Sequence, residues 1–182
     1  MRIAALFIVA CLSLHALADA RAGEQKAQLC LLCHKEGPEL RFTPLLEAQP
    51  DDFLMASIMA FKTGQRKQPA MNTNVASLAP ADIRDIADYF ASKPFPSPRQ
   101  NLDQVKIAAG EKLVAEMKCA SCHTSTFHGA GVVPRLAGQK GPYLMWQLES
   151  FRGGNRRHPA GMPVLDIRAV VENIGSYLTS LR

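Results

Sequence analysis

The chain has 182 residues, 47% hydrophobic and 20% charged, and a formal net charge of +5. This composition is that of a globular protein and excludes a disordered polymer; the length suits one medium domain or two small ones. The positive charge favours docking on acidic protein surfaces. The basic cluster Arg152, Arg156 and Arg157 reads as a solvated face without the aromatic interleaving of a nucleic-acid groove, so no nucleic-acid partner is expected.

The first 20 residues place Arg2 before an apolar run, and Ala18-Asp19-Ala20 forms a small-x-small cleavage site, the pattern of a secretory signal. The apolar stretch is short for a membrane span and carries Ser13 and His15, which disfavours an uncleaved anchor. Cys11 in "IVAC" resembles a lipoprotein box but has an unusually short hydrophobic run before it, so cleavage after Ala20 is the favoured reading. Cleavage removes Cys11 and leaves Cys30, Cys33, Cys119 and Cys122, all within CxxCH pentapeptides. An exported chain sits where disulfides form, yet no cysteine remains over to staple loops.

The pattern beyond the signal predicts helices throughout. One spans Glu24 to Leu32 and runs into "CLLCH". A second is capped by Asp51-Asp52, continues to about Lys62 and ends at Gly64. A third opens at Pro80-Ala81-Asp82 with the apolar stripe Ile83, Ile86, Ala87 and Phe90. The segment Ser92 to Leu102, with three prolines in five residues, reads as an extended spacer. Beyond it the order repeats: Asp103 to Lys118 leading to "CASCH", Gly141 to Phe151, and Asp166 to Leu181. No segment alternates as a strand.

Setting Cys30 on Cys119 aligns much more than the pentapeptides. Pro44 meets Pro134, Phe53 meets Tyr143, Met55 meets Met145, Phe61 meets Phe151, Gly64 meets Gly154 and Pro69 meets Pro159; one inserted residue, Gly161, then brings Met71 onto Met162. The expected organisation is a signal peptide over 1–20 and two tandem modules over 21–97 and 98–182. Each is small enough that a buried prosthetic group would complete its core.

Three chemistries use closely spaced cysteines. Zinc needs four ligands, and adjacent Cys and His are poorly placed to close one tetrahedron; linking both CxxC pairs would tie two self-sufficient modules to one metal. A redox dithiol belongs beside an α/β pattern and leaves His34 and His123 unexplained. A covalent haem uses every residue: Cys30 and Cys33, and again Cys119 and Cys122, can bond the two vinyl groups of a porphyrin, while His34 and His123 reach the iron. Two c-type haems are therefore expected, and their propionates would offset much of the positive charge. Met71 and Met162 lie 37 and 39 residues after these histidines, flanked by prolines and read as loop residues, and are the expected sixth ligands. Met55, Met59 and Met145 read as helix core. His128 is too close to His123 to reach the far face, and His158 is a better-placed rival of Met162 without a histidine opposite it in the first module. Backbone carbonyls at Pro44 and Pro134 could orient the axial imidazoles.

Over residues 24 to 180 the chain resembles the dihaem cytochrome c4 family, through "CASCH", "PRLAGQKGPYLMWQLESFRGGNRR" and Met162, and through the more diverged "PLLEAQPDDFLMASIMAFKTGQRK", Met71 and "LAPADIRDIADYFAS". The glycine-rich stretch usual after the pentapeptide is altered to "KEGPELRF" and "TSTFHGAG", and the chain after Met162 is shorter than that after Met71. The resemblance implies an all-α fold of two tandem cytochrome c-like domains, His/Met iron in each, and non-enzymatic electron transfer in the periplasm. The partners implied are a terminal oxidase or an upstream dehydrogenase, with any membrane association peripheral and through partners. The alternative is a dihaem electron-transfer subunit of a periplasmic dehydrogenase. A dihaem peroxidase ranks last, because no distal acid/base pair is evident.

Overall fold

The computed structural model describes residues 22–96, 102–159, 161 and 168–182. The expected signal peptide, the module boundary near residue 98, Met162 and the predicted helix start at Asp166 lie outside the described residues. Among those described there is no strand, only an isolated bridge between Ala130 and Val133. The helices are α1 (22–31), α2 (Asp51–Lys62), α3 (Pro69–Val75) and α4 (Pro80–Ser92), then α5 (Gln104–Glu116), α6 (Ala120–His123), α7 (Gly141–Arg152) and α8 (Arg168–Ser180).

Two cores form, one in each half. Ala27, Leu54, Ile86, Ala87 and Phe90 join α1, α2 and α4. Val114, Leu144, Val171, Ile174 and Leu178 join α5, α7 and α8. In each half the helix before the pentapeptide crosses the last helix at a glycine. A Cβ on Gly110 would lie 2.0 Å from the Asn173 carbonyl oxygen and 2.8 Å from Tyr177 Cβ; on Gly23 it would lie 2.4 Å from the Asp85 oxygen and 2.9 Å from Tyr89 Cβ. Only a residue without a Cβ permits that approach. The same crossings are bridged by charge, Lys106 to Glu172 at 2.9 Å and Lys26 to Asp85 at 2.5 Å. The crossing therefore pairs Tyr89 with Tyr177 as equivalent positions.

The structure corrects three local expectations. Asp51 and Asp52 do not cap α2; its N-cap is Pro50, and the two carboxylates sit in the first turn, where they favour the positive end of the helix dipole. Met71 is not in a loop. It lies in the first turn of α3, a short helix with Pro69 at its start and Gln68 as cap, the Gln68 side chain accepting from the Met71 N–H at 3.2 Å. "CASCH" does not end the preceding helix; α5 stops at Glu116, Lys118 takes a positive φ of 54°, and α6 carries the pentapeptide.

Two glutamines that the repeat matches to each other join the halves reciprocally. Gln139 accepts from Leu45 N–H and donates to Leu45 C=O, both at 2.9 Å, while Gln49 accepts from Arg135 N–H at 3.0 Å and donates to Arg135 C=O at 2.9 Å. Both side chains are buried, as are Leu45 and Arg135. Each amide thus mimics a strand neighbour, satisfying backbone groups that would otherwise be orphaned. Phe95, in the expected spacer, packs under Arg135 with the guanidinium carbon 4.3 Å from its ring centroid.

Candidate haem sites

The pentapeptides close into one turn. His34 N–H donates to Cys30 C=O at 2.9 Å and His123 N–H to Cys119 C=O at 3.1 Å, so each histidine shares a turn with its two thiols. All four cysteines are free. Burial pushes the Cys30 and Cys119 thiols up from their ordinary range, the reverse of the activated thiolate that dithiol redox chemistry requires. Among the described residues no three His, Cys, Asp or Glu side chains converge as a metal-ligand cluster, so the zinc geometry is not formed there.

The two histidines are buried, His34 to 6% and His123 to 9% exposure. His34 Nδ1 donates to Pro44 C=O at 2.8 Å and His123 Nδ1 to Pro134 C=O at 3.0 Å, as the sequence led us to expect. In the second module Gly129, at φ +73°, lets the loop double back: a Cβ there would meet the Val133 oxygen at 2.3 Å. Burial holds both imidazoles below their usual range, with Lys140 and Arg66 adding repulsion at His34 and His158 at His123. A neutral ring whose Nδ1 proton is committed to a carbonyl presents the Nε2 lone pair, the form in which histidine binds a metal.

Around these histidines stand residues that the sequence did not single out. Asn72, next to Met71, donates to Phe61 C=O at 2.6 Å and Arg66 C=O at 2.9 Å and accepts from Gln68 N–H at 2.8 Å, so it fixes the turn from α2 into α3. Arg66 reaches across to Tyr143 at 3.4 Å and Gln147 at 3.0 Å, and Arg156 donates to the same Gln147 oxygen. The two arginines are repeat equivalents, stacked on the equivalent rings Phe61 and Phe151. Arg156 is thus not part of a solvated face; burial, with Arg66 nearby, lowers its pKa to about 10. Two guanidiniums converging on one amide oxygen suit carboxylates better than a neutral partner, and haem propionates supply carboxylates. Lys140 donates to Lys35 C=O at 2.5 Å and Leu40 C=O at 3.1 Å, just beyond His34; its repeat counterpart is Pro50.

His128 is exposed and pairs with the Arg182 carbonyl at 2.9 Å. His158 behaves differently: its ring lies 6.2 Å from that of His123, and its Nδ1 is buried without a hydrogen-bond partner. Met71 is half-buried in α3.

Tandem helical modules that each set two thiols and a neutral, carbonyl-anchored imidazole on one turn define a c-type cytochrome with two covalent haems. The cytochrome c family model matches residues 107–169. Cytochrome c4 of Pseudomonas aeruginosa is 32% identical over 92% of this chain and 90% of its own length. The chain belongs to the cytochrome c4 family. Reduced cytochrome c4 from Pseudomonas stutzeri superimposes with a TM-score of 0.78 at 27% identity, covering 90% of this chain and 98% of that one. Thiosulfate dehydrogenase from Marichromatium purpuratum matches with a TM-score of 0.71 at 26% identity, over 84% of this chain and 36% of that one. The thiols, imidazoles and guanidiniums present fit c-type haem in both halves.

Proposed function

We propose that this cytochrome is a periplasmic carrier that passes single electrons between respiratory partners, an upstream dehydrogenase and a terminal oxidase or other acceptor. Cys30 and Cys33 tether one haem and Cys119 and Cys122 the other, within modules that meet near residue 98. His34 and His123 bind iron on the near face. Met71 is the sixth ligand of the first module; Met162 is the candidate that the sequence offers for the second. Bound haem supplies one-electron exchange between ferric and ferrous iron. The protein buries and orients the imidazoles, pins the turn that carries Met71, and gathers cations where propionates are expected.

The observation that carries this reading is the repeated His34–Pro44 and His123–Pro134 pairing on one turn with the thiols. Reductive titration of the mature protein should take up two electrons per chain, and Cys30→Ser/Cys33→Ser should leave one. Two electrons retained by that variant, or none taken up by the parent, would refute it. A second reading, a haem subunit of a dehydrogenase, draws on the likeness to part of the thiosulfate dehydrogenase chain. Co-purification at fixed stoichiometry with a catalytic enzyme would favour it.

A further inference from the structure

We propose that Gln49 and Gln139 are positioning residues for the axial imidazole of the opposite module, each acting on that ring through one shared peptide group. The inference rests on the haem reading above and concerns only how His34 and His123 are held and polarised.

Each ring is anchored by a carbonyl whose peptide group has a second polar end. The Pro44 C=O that accepts from His34 Nδ1 at 2.8 Å is coplanar with the Leu45 N–H, and that N–H donates to Gln139 Oε1 at 2.9 Å. In the other half the Pro134 C=O accepts from His123 Nδ1 at 3.0 Å, and the Arg135 N–H of the same peptide donates to Gln49 Oε1 at 3.0 Å. A trans peptide points its C=O and N–H in opposite directions. Imidazole and glutamine therefore hold one flat group from its two sides, and in both cases the glutamine comes from the other half.

The first consequence is orientation. Each glutamine also donates from Nε2 to the C=O of that same Leu45 or Arg135, at 2.9 Å, so the residue after the anchoring carbonyl is fixed at both polar groups. The glutamines are 5% and 1% exposed for Gln49 and Gln139, so no bulk water competes for these bonds. Lys140 N–H donates to Gln139 Oε1 at 3.0 Å and fixes that amide further. On the other side the Arg135 side chain is pinned by Phe95, 4.3 Å below its guanidinium carbon, and by an Nε bond to Ala137 C=O at 3.0 Å.

The second consequence is electronic. A peptide whose N–H is hydrogen-bonded has a more polarised C=O, which accepts more strongly. A stronger acceptor on Nδ1–H makes the imidazole a more basic ligand. An electron-rich imidazole stabilises ferric iron, the state with the greater positive charge. Each glutamine thus lowers the potential of the haem in the module to which it does not belong.

The test is deuterium exchange of the two imidazole Nδ1–H protons in the reduced holoprotein, followed by nuclear magnetic resonance, with a spectroelectrochemical titration in which haem methyl resonances identify each iron. Gln49→Met should make the His123 ring proton exchange about tenfold faster or more, through easier local opening, and should raise the second potential while His34 and the first haem stay as they are. Gln139→Met should do the converse. Gln49→Glu removes the donor but keeps an acceptor for Arg135 N–H, so the His123 proton should stay protected and the second potential should fall. Equal acceleration at both histidines, acceleration only in the variant's own module, or the same loss of protection with Glu as with Met would overturn the proposal and leave the amides as interface bonds alone. Where a methionine variant fails to assemble, Gln49→Glu decides by itself. Covalent haem is counted by mass on each sample: two per chain in the parent upholds the haem reading whatever the exchange rates, and fewer than two refutes that reading instead.

Discussion

Replacing Gln139 by Ala tests whether the reciprocal amides hold the two halves together. The substitution removes both bonds to Leu45 and a third from Lys140 N–H at 3.0 Å. Leu45 and Gln139 are each 1% exposed, so the freed backbone groups start without water. A buried donor or acceptor left unpaired costs about 1–3 kcal/mol. Three such groups at the lower end, eased by a water entering the vacated volume, give about 3 kcal/mol. Urea denaturation of the reduced holoprotein, followed by far-ultraviolet circular dichroism and by haem absorbance, reads this as a lower midpoint. Gln139→Glu should be worse at neutral pH, because a carboxylate cannot donate to Leu45 C=O and would be buried as a charge. A loss below about 0.5 kcal/mol, the level of an ordinary surface change, would show that the amide pair does not bind the halves.

Lys140→Met should lower the reduction potential of the haem in the first module and leave the other in place, since Lys140 touches the backbone just past His34; an equal fall in both, in a spectroelectrochemical titration, would contradict this. Burial lowers the Lys140 pKa against the opposing pull of Glu36, Glu47 and Glu39. A depressed lysine pKa means that the cation is lost early as pH rises, so the parent's first potential should fall in the alkaline range before an ordinary lysine titrates, and the Met variant should lack that step. Gly110→Ala should cost about 1–3 kcal/mol or more by forcing α5 off the Asn173 backbone. In thermal scans it should melt well below Gly153→Ala, whose Cβ meets nothing nearer than 3.3 Å; equal melting temperatures would refute the close crossing.

What the sequence revealed was what the chain encodes locally. Cys30 to His34 and Cys119 to His123 are single turns, and the prolines ten or eleven residues on announce the carbonyls that anchor the rings, so the anchored imidazole of each half was legible. The α3 helix was also announced, by Gln68 before Pro69, but a methionine two residues after a proline in a polar stretch looked more like a loop. Gln49 and Gln139 were visible only as matched letters; that each serves the other module depends on how the halves meet, which no periodicity records. Arg156 was misread as surface for the same reason, since it and Arg66, from the two halves, converge on the Gln147 oxygen.

The duplicated fold does not give its two irons equal surroundings. Lys140 adds a buried cation beside His34, where its counterpart Pro50 adds none on the other side. A nearby positive charge favours the ferrous state, which carries one less positive charge than the ferric. That charge places the electron preferentially on the first module. A donor that reduces the second module would therefore feed an electron downhill across the Gln49–Gln139 interface, and an acceptor would draw it from the first. Removing the cation with Lys140→Met should narrow the gap between the two potentials.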